Sequence, residues 1–338
     1  MSGTDRECTI AVFGAGSWGT ALAIQLARNG YRTLLWGRDA EKMARMRAER
    51  CNARYLPGVP LPDGLEPTGD LAGTLDQADR LLVVVPSEGF RHFLRDVVPH
   101  LHPGIRLVWA TKGLETETGK FLHEIVAEEI GPEVPCGVIS GPSFAREVAR
   151  GLPTAVTVAS RHAGFVDEVV TWFHSDTFRV YTSEDIAGVE LGGALKNVLA
   201  VAAGISDGLG FGANARAAII TRGLAELMRL GDRAGAQRET LMGLSGLGDL
   251  VLTCTDDQSR NRRLGLALGA GKDFDAAVAE IGQVVEGAKS ARVVMRKASE
   301  LDVEMPICQQ VHRILYEGHA PGRAVAELLG RDLKPEMV

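Results

Sequence analysis

The sequence predicts an α/β protein: a doubly wound, mostly parallel sheet over residues 1–184, then an all-helical domain over residues 185–338. Three observations predict it. Short apolar runs alternate with amphipathic stretches through the first half, a glycine-rich turn follows the first run, and beyond Ser183 strand patterns fade into helical periodicity. At 338 residues the chain exceeds what one hydrophobic core usually supports, and 45% apolar residues suffice for two. A 5% aromatic share beside 40 glycines favours close-packed helices and sheet crossovers over a β-sandwich.

Residues 9–13, 33–36, 81–85, 105–110, 137–140 and 155–159 read as strands, several continuously apolar, as strands covered on both faces are. Helical patterns at 20–29, 40–49, 89–100 and 120–130 lie between them, and a helix at 163–174 with a strand at 179–181 completes the sheet domain. In the second half, 189–206 is rich in small residues. Asn214 stands as an N-cap ahead of Ile220, Leu224, Leu227 and Met228 at helical spacing. Further helices are expected at 259–268, 287–301, 307–316 and 322–329. Two packed domains with a cleft between them follow.

A net charge of -6 argues against non-specific nucleic-acid binding while allowing a local basic pocket for a small anion. Met1 to Thr9 is polar and lacks the regions of a signal peptide, and no segment approaches the roughly 20 apolar residues a membrane span needs. A cytoplasmic chain without membrane insertion is expected, and a homodimer is compatible with it. Cys8, Cys51, Cys136, Cys254 and Cys308 are scattered and odd in number. They read as small buried apolar groups, without structural disulfides or a zinc site.

Gly14, Gly16 and Gly19 form G-x-G-x-x-G between the first strand and the first helix, with Ser17 and Trp18 inside the motif. The first glycine permits a tight turn, the second admits a pyrophosphate to the backbone, and the third lets helix pack on strand. This marks the sheet as a Rossmann-type dinucleotide domain, the helix N-terminus supplying N–H donors to the phosphates. The second strand runs into Trp36, Gly37, Arg38 and Asp39, so Arg38 is placed to meet the 2′-phosphate of NADP. NADP(H) is the expected cofactor, with NAD(H) tolerated; an exposed turn cation is the competing reading of Arg38.

Oxidising a secondary alcohol needs a base that takes the hydroxyl proton as hydride leaves. The eight histidines are scattered, and His92, His100, His102, His162 and His174 fall on helical surfaces or loops; lysine is the more promising base. Lys196 follows Gly192 and Gly193 in a small-residue helix. A helical side chain leans back over the residues three and four positions earlier, so open space is expected beside the ammonium. Burial and a neighbouring cation would lower its pKa towards working pH, and Lys112, at a strand's carboxyl end, can be that cation. A surface lysine snorkelling to water is the competing reading. Asp249, flanked by glycine and apolar residues, can orient a lysine or accept from a substrate hydroxyl; a turn or cap carboxylate is the competing reading. Ser259, Arg260 and Asn261 open a helix with a phosphate-binding composition, whereas Arg262 and Arg263 read as a solvated face.

These segments resemble the bacterial NAD(P)-dependent glycerol-3-phosphate dehydrogenases. The most specific block runs from Gly193, Ala194, Leu195, Lys196 and Asn197 through Gly204, Asp207 and Gly208 to Phe211, Gly212, Ala213 and Asn214. Further blocks lie at 14–19, 82–87 (LVVVPS), 109–114 (WATKGL), 140–147 (SGPSFARE), 246–255 (GLGDLVLTCT), 259–263 (SRNRR) and 282–287 (GQVVEG), so nearly the whole chain is covered. Trp18 is a mild departure, since other members can carry a different aromatic there. The resemblance implies that Lys196 accepts the C2 hydroxyl proton and that Lys112 touches both cofactor and substrate. It implies dinucleotide contacts from Ser17, Trp18, Arg38 and Ala145, with Val284 and Glu286 joining from the second domain. It places Gly141, Ser143, Asp249, Ser259, Arg260 and Asn261 around the substrate, Arg260 also lying near the cofactor. The implied reaction interconverts glycerol 3-phosphate and dihydroxyacetone phosphate and supplies phospholipid head groups. A β-hydroxy acid or opine dehydrogenase, which needs a carboxylate pocket, is the enzymatic alternative; a non-catalytic NADP(H) sensor is the other.

Overall fold

The computed structural model describes residues 8–102 and 104–332. The first seven residues, on which the absence of a leader was expected, and the ends of both predicted domains lie outside them. Eight strands form one sheet: β1 (Thr9–Phe13), β2 (Arg32–Trp36), β3 (Leu65–Thr68), β4 (Arg80–Val83), β5 (Arg106–Trp109), β6 (Cys136–Ser140), β7 (Thr154–Ala159) and β8 (Phe178–Ser183). Their order is β3-β2-β1-β4-β5-β6-β7-β8, parallel throughout except for the antiparallel pair β6 and β7. The order reverses beside β1, which puts the glycine turn at a topological switch point.

Alternation along each strand divides the sheet's two faces. Ile10, Val12, Leu35, Leu82, Val108 and Ile139 enter one core, and Ala11, Phe13, Leu34, Leu81, Val83 and Trp109 enter the other. The flanking helices are α1 (Ser17–Arg28), α2 (Ala40–Glu49), α3 (Leu71–Gln77), α4 (Ser87–Val97), α5 (Leu122–Glu129), α6 (Ala145–Arg150) and α7 (Phe165–Phe173). β3, α3 and α6 were not anticipated. β3 carries Pro67, which central strands exclude, and it survives because it is an edge whose Pro67 carbonyl accepts from Arg47 Nη2 at 2.7 Å.

The second half is helical: α8 (Ile186–Gly208), α9 (Gly212–Ala234), α10 (Arg238–Met242), a π turn at Leu244–Gly248, α11 (Asp249–Thr255), α12 (Arg260–Gly269), α13 (Phe274–Ile281), α14 (Glu286–Glu300), α15 (Pro306–Tyr316) and α16 (Pro321–Leu329). Asp185 caps α8, accepting from the Gly188 N–H at 2.8 Å. By length and composition α8 is apolar enough to cross a membrane, with mean hydropathy 1.4, contrary to the expectation that no segment comes near that. Its most apolar stretch is wholly buried, as befits the central helix of a core. Small residues bring backbones together: a Cβ on Gly204 would lie 2.1 Å from the Arg262 carbonyl, so α8 and α12 run in direct contact.

Two expectations are corrected here. Asn214 is not a cap; α9 begins at Gly212 with Phe211 at the N-cap, and Asn214 is exposed in the first turn. Cys254 and Cys308 are buried as expected, but Cys8, Cys51 and Cys136 are only partly so.

Candidate active site

β5 ends at Trp109 and delivers Lys112 into the cleft; α8 presents Lys196, and the π turn delivers Asp249 at the start of α11. The three converge. Lys196 Nζ donates to Asp249 Oδ1 at 2.5 Å, and Lys112 Nζ donates to Asp249 Oδ2 at 2.7 Å and to the Gly141 carbonyl at 3.2 Å. Thr253 Oγ1 donates to the Asp249 carbonyl at 2.6 Å. Asp249 is 1% exposed and Lys196 8%, so this is a desolvated trio rather than a surface ion pair. Burial pushes the Lys196 ammonium down to about 8; the Lys112 cation adds to that fall while Asp249 opposes it.

The open space expected beside Lys196 is filled. A Cβ on Gly192 would sit 2.3 Å from the Ser245 carbonyl, and one on Gly193 would sit 3.3 Å from Ser140 Oγ and 3.6 Å from Lys112 Cγ. The two glycines therefore admit the π turn that carries Asp249 and the stem of Lys112. They assemble the trio instead of leaving a void beside it.

The glycine loop meets this cluster from the sheet. Gly14 has φ +122°, and a Cβ there would lie 2.6 Å from the Val84 carbonyl; one on Gly19 would lie 1.9 Å from the Gly14 carbonyl. A Cβ on Gly16 would meet nothing within 4 Å, and no side chain caps the first N–H groups of α1. Trp18 lies with its ring 5.9 Å from Lys112 Nζ, and its buried Nε1 has no protein partner among the described residues. The loop geometry thus fits a dinucleotide, and Trp18 brings the loop beside the trio. Arg38 is exposed in the turn after β2, adjoining Gly37, which packs against Ala15 of the loop. Asp39 is engaged elsewhere: it caps α2, accepting from the Lys42 N–H at 3.1 Å.

Ser259 caps α12, its Oγ accepting from the Arg262 N–H at 3.2 Å. Asn261 Nδ2 donates to Asn197 Oδ1 at 2.8 Å, and Asn261 Oδ1 accepts from the Gly287 N–H at 2.8 Å, which ties the start of α12 to the residue beside Lys196 and to α14. Arg260 Nη1 donates to Gln283 Oε1 at 3.4 Å. Ser143 Oγ donates to the Gly141 carbonyl at 3.0 Å, and Ala145 opens α6 next to it. Val284, 53% exposed, and Glu286 line a shallow cleft with Lys112, Leu114 and Lys289. Arg262 is not on a solvated face: it is buried, paired with Asp207 and with Asp257 Oδ1 at 2.9 Å, while Arg263 is exposed.

Two family models cover this architecture. Residues 9–166 match the N-terminal part of NAD-dependent glycerol-3-phosphate dehydrogenase, and residues 185–326 match its C-terminal part. The chain belongs to this family. Among its relatives are the glycerol-3-phosphate dehydrogenases (NAD(P)+) of Thioalkalivibrio sulfidiphilus and Nitrosococcus oceani. The first is 67% identical, covering 97% of this chain and 98% of the relative; the second is 60% identical, covering 96% and 94%. The crystal structure of glycerol-3-phosphate dehydrogenase from Coxiella burnetii superposes with a TM-score of 0.94 at 50% identity, over 96% of this chain and 99% of that one.

In this dehydrogenase three site-bordering groups escaped the sequence reading. Asn197 is the hub between Asn261 and Glu286, whose Oε2 accepts from Asn197 Nδ2 at 3.4 Å. Ser140 presents a buried hydroxyl, without a partner among the described residues, against Gly193. Glu190 lies wholly buried on α8, and only its charge within an apolar helix could have flagged it.

Proposed function

We propose that this dehydrogenase interconverts sn-glycerol 3-phosphate and dihydroxyacetone phosphate with NAD(P)(H), the reaction its relatives are named for. The observation that carries the reading is the pair of lysines, Lys196 buried and Lys112 partly so, bridged by the buried Asp249 beside the dinucleotide loop. A nicotinamide dinucleotide held by that loop would supply the hydride chemistry. Lys196 takes the C2 hydroxyl proton in the oxidative direction and returns it to the carbonyl oxygen in the reductive one. Asp249 orients Lys196, and Lys112 holds a positive charge beside the reacting oxygen, where it favours developing negative charge. Ser259, Arg260 and Asn261 hold the substrate phosphate, with Gly141 and Ser143 at its other end. Gly14, Gly16, Ser17, Trp18 and Gly19 hold the dinucleotide, aided by Ala145, Val284 and Glu286. We place the boundary between the dinucleotide and substrate domains at 184/185, and the enzyme in the cytoplasm, supplying glycerol 3-phosphate to phospholipid synthesis.

The purified protein with NADPH should turn over dihydroxyacetone phosphate far faster than dihydroxyacetone, because only the former engages Arg260. Equal rates would remove the phosphate reading, and absence of both the reaction itself.

We assign NADP(H) as the preferred cofactor because Arg38 is free to meet a 2′-phosphate while Asp39 is committed to capping α2. Arg38→Ala should raise KM for NADPH about tenfold, the scale of one charge-assisted hydrogen bond, and leave KM for NADH within about twofold. A matched rise for both cofactors would show that Arg38 does not read the 2′-phosphate.

A further inference from the structure

The two lysines of the trio stand on elements joined by a second buried cluster. Glu190 lies on α8 ahead of Lys196 by six residues (190 to 196), about 9 Å of helix rise. Its Oε1 accepts from Trp109 Nε1 at 2.9 Å and from the His123 N–H at 3.1 Å, and its Oε2 pairs with His123 Nδ1 at 2.7 Å. Trp109 closes β5, the strand that delivers Lys112, and His123 lies in the first turn of α5.

We propose that Glu190, held by Trp109 and His123, is a positioning residue that sets the separation of Lys112 and Lys196. This rests on Lys196 being the proton acceptor. Trp109 itself belongs to an apolar core that includes Phe90, Ile125, Val138 and Val189, and Cys136 lies within electrostatic reach of Glu190. Burial pushes the Glu190 carboxyl up, so its charge is disfavoured there, and an apolar side chain would fill the space as well. An apolar contact tolerates sliding, whereas a carboxyl group held by two N–H donors and paired with the His123 ring has a direction and a distance. Gly192 wedges α8 against the π turn and thereby sets Asp249; Glu190 sets the same helix against β5 and thereby sets Lys112. Without the second tie, α8 can move along β5 while remaining packed. Asp249 can then no longer hold both ammonium groups at 2.5 and 2.7 Å.

The test uses the intact enzyme with glycerol 3-phosphate and NADP+, reading kcat, KM and the pH midpoint of kcat/KM. Trp109→Phe, which keeps the ring packing and removes the donor, and Glu190→Ala should each lower kcat about tenfold or more, since misplacement by an ångström costs up to about a hundredfold. The acid-side midpoint should shift, and KM for NADP+ should stay within about twofold. Glu190→Gln keeps an acceptor for Trp109 and should recover most of the rate. Folded variants with parental kcat and midpoint, whatever their melting temperature, overturn the proposal. If Glu190→Ala does not fold, Trp109→Phe decides alone. A parent enzyme whose turnover is indifferent to Lys196→Ala removes the assignment of the base; a parent that needs Lys196 beside an unaffected Trp109→Phe removes only the tie.

Discussion

Lys196→Ala is expected to lower turnover by about a thousandfold or more while leaving the binding of NADPH nearly unchanged, because a positioned acid–base group contributes about 10²–10⁴ in rate. The loop that would hold the dinucleotide is built from β1, α1 and Val84, none of which depends on this side chain. The pH dependence carries a sign. Burial holds the Lys196 ammonium at about 8, far below an ordinary lysine. Glycerol 3-phosphate oxidation requires the neutral amine, so its kcat/KM should climb with pH through a midpoint near 8. Dihydroxyacetone phosphate reduction requires the ammonium, so its kcat/KM should fall through the same region. Because the Lys112 cation pushes Lys196 down, Lys112→Met should move both midpoints to higher pH. Opposite limbs in the two directions, both absent in Lys196→Ala, would identify the titrating group; profiles that persist in the alanine variant would exclude it.

Local chemistry was legible in the sequence and long-range convergence was not. The glycine turn reads directly because Gly14, Gly16 and Gly19 are required by contacts made within one strand–turn–helix unit. Lys196 was visible as a charge out of place in a small-residue helix, and the phosphate turn as a polar cluster opening another. That Asp249 meets both lysines depends on contacts spanning 53 and 137 residues, which no spacing rule reports. The role of Gly192 and Gly193 was misjudged for the same reason: a missing side chain leaves space only until another segment packs into it. Arg262 was assigned to water because the partner that buries it, Asp207, comes from the far end of α8. β3 escaped because Pro67 disguises a strand whose edge position makes proline harmless.

Asp249→Asn tests the trio most severely. The carboxylate accepts from Lys196 with one oxygen and from Lys112 with the other. A carboxamide can accept with only one, and its NH2 group would point donor to donor at the remaining ammonium. Facing the NH2 group, Lys196 would stay buried without its carboxylate, whereas Lys112 would keep the Gly141 carbonyl, and breaking a buried pair costs about 3–5 kcal/mol. The cost should divide between a lower melting temperature and a fall in kcat of about a hundredfold or more, as the base loses its orientation. The accompanying change in pH profile distinguishes orientation from simple loss of structure. Asp249 opposes the fall in the Lys196 pKa, so its neutralisation should carry the midpoint of glycerol 3-phosphate oxidation below the parental value of about 8. The base would then be neutral over a wider pH range and yet work worse. A lowered plateau with the midpoint unmoved, or moved upward as for Lys112→Met, would show that Asp249 does not act on Lys196 through charge. An unchanged plateau would show that the amine needs no holding.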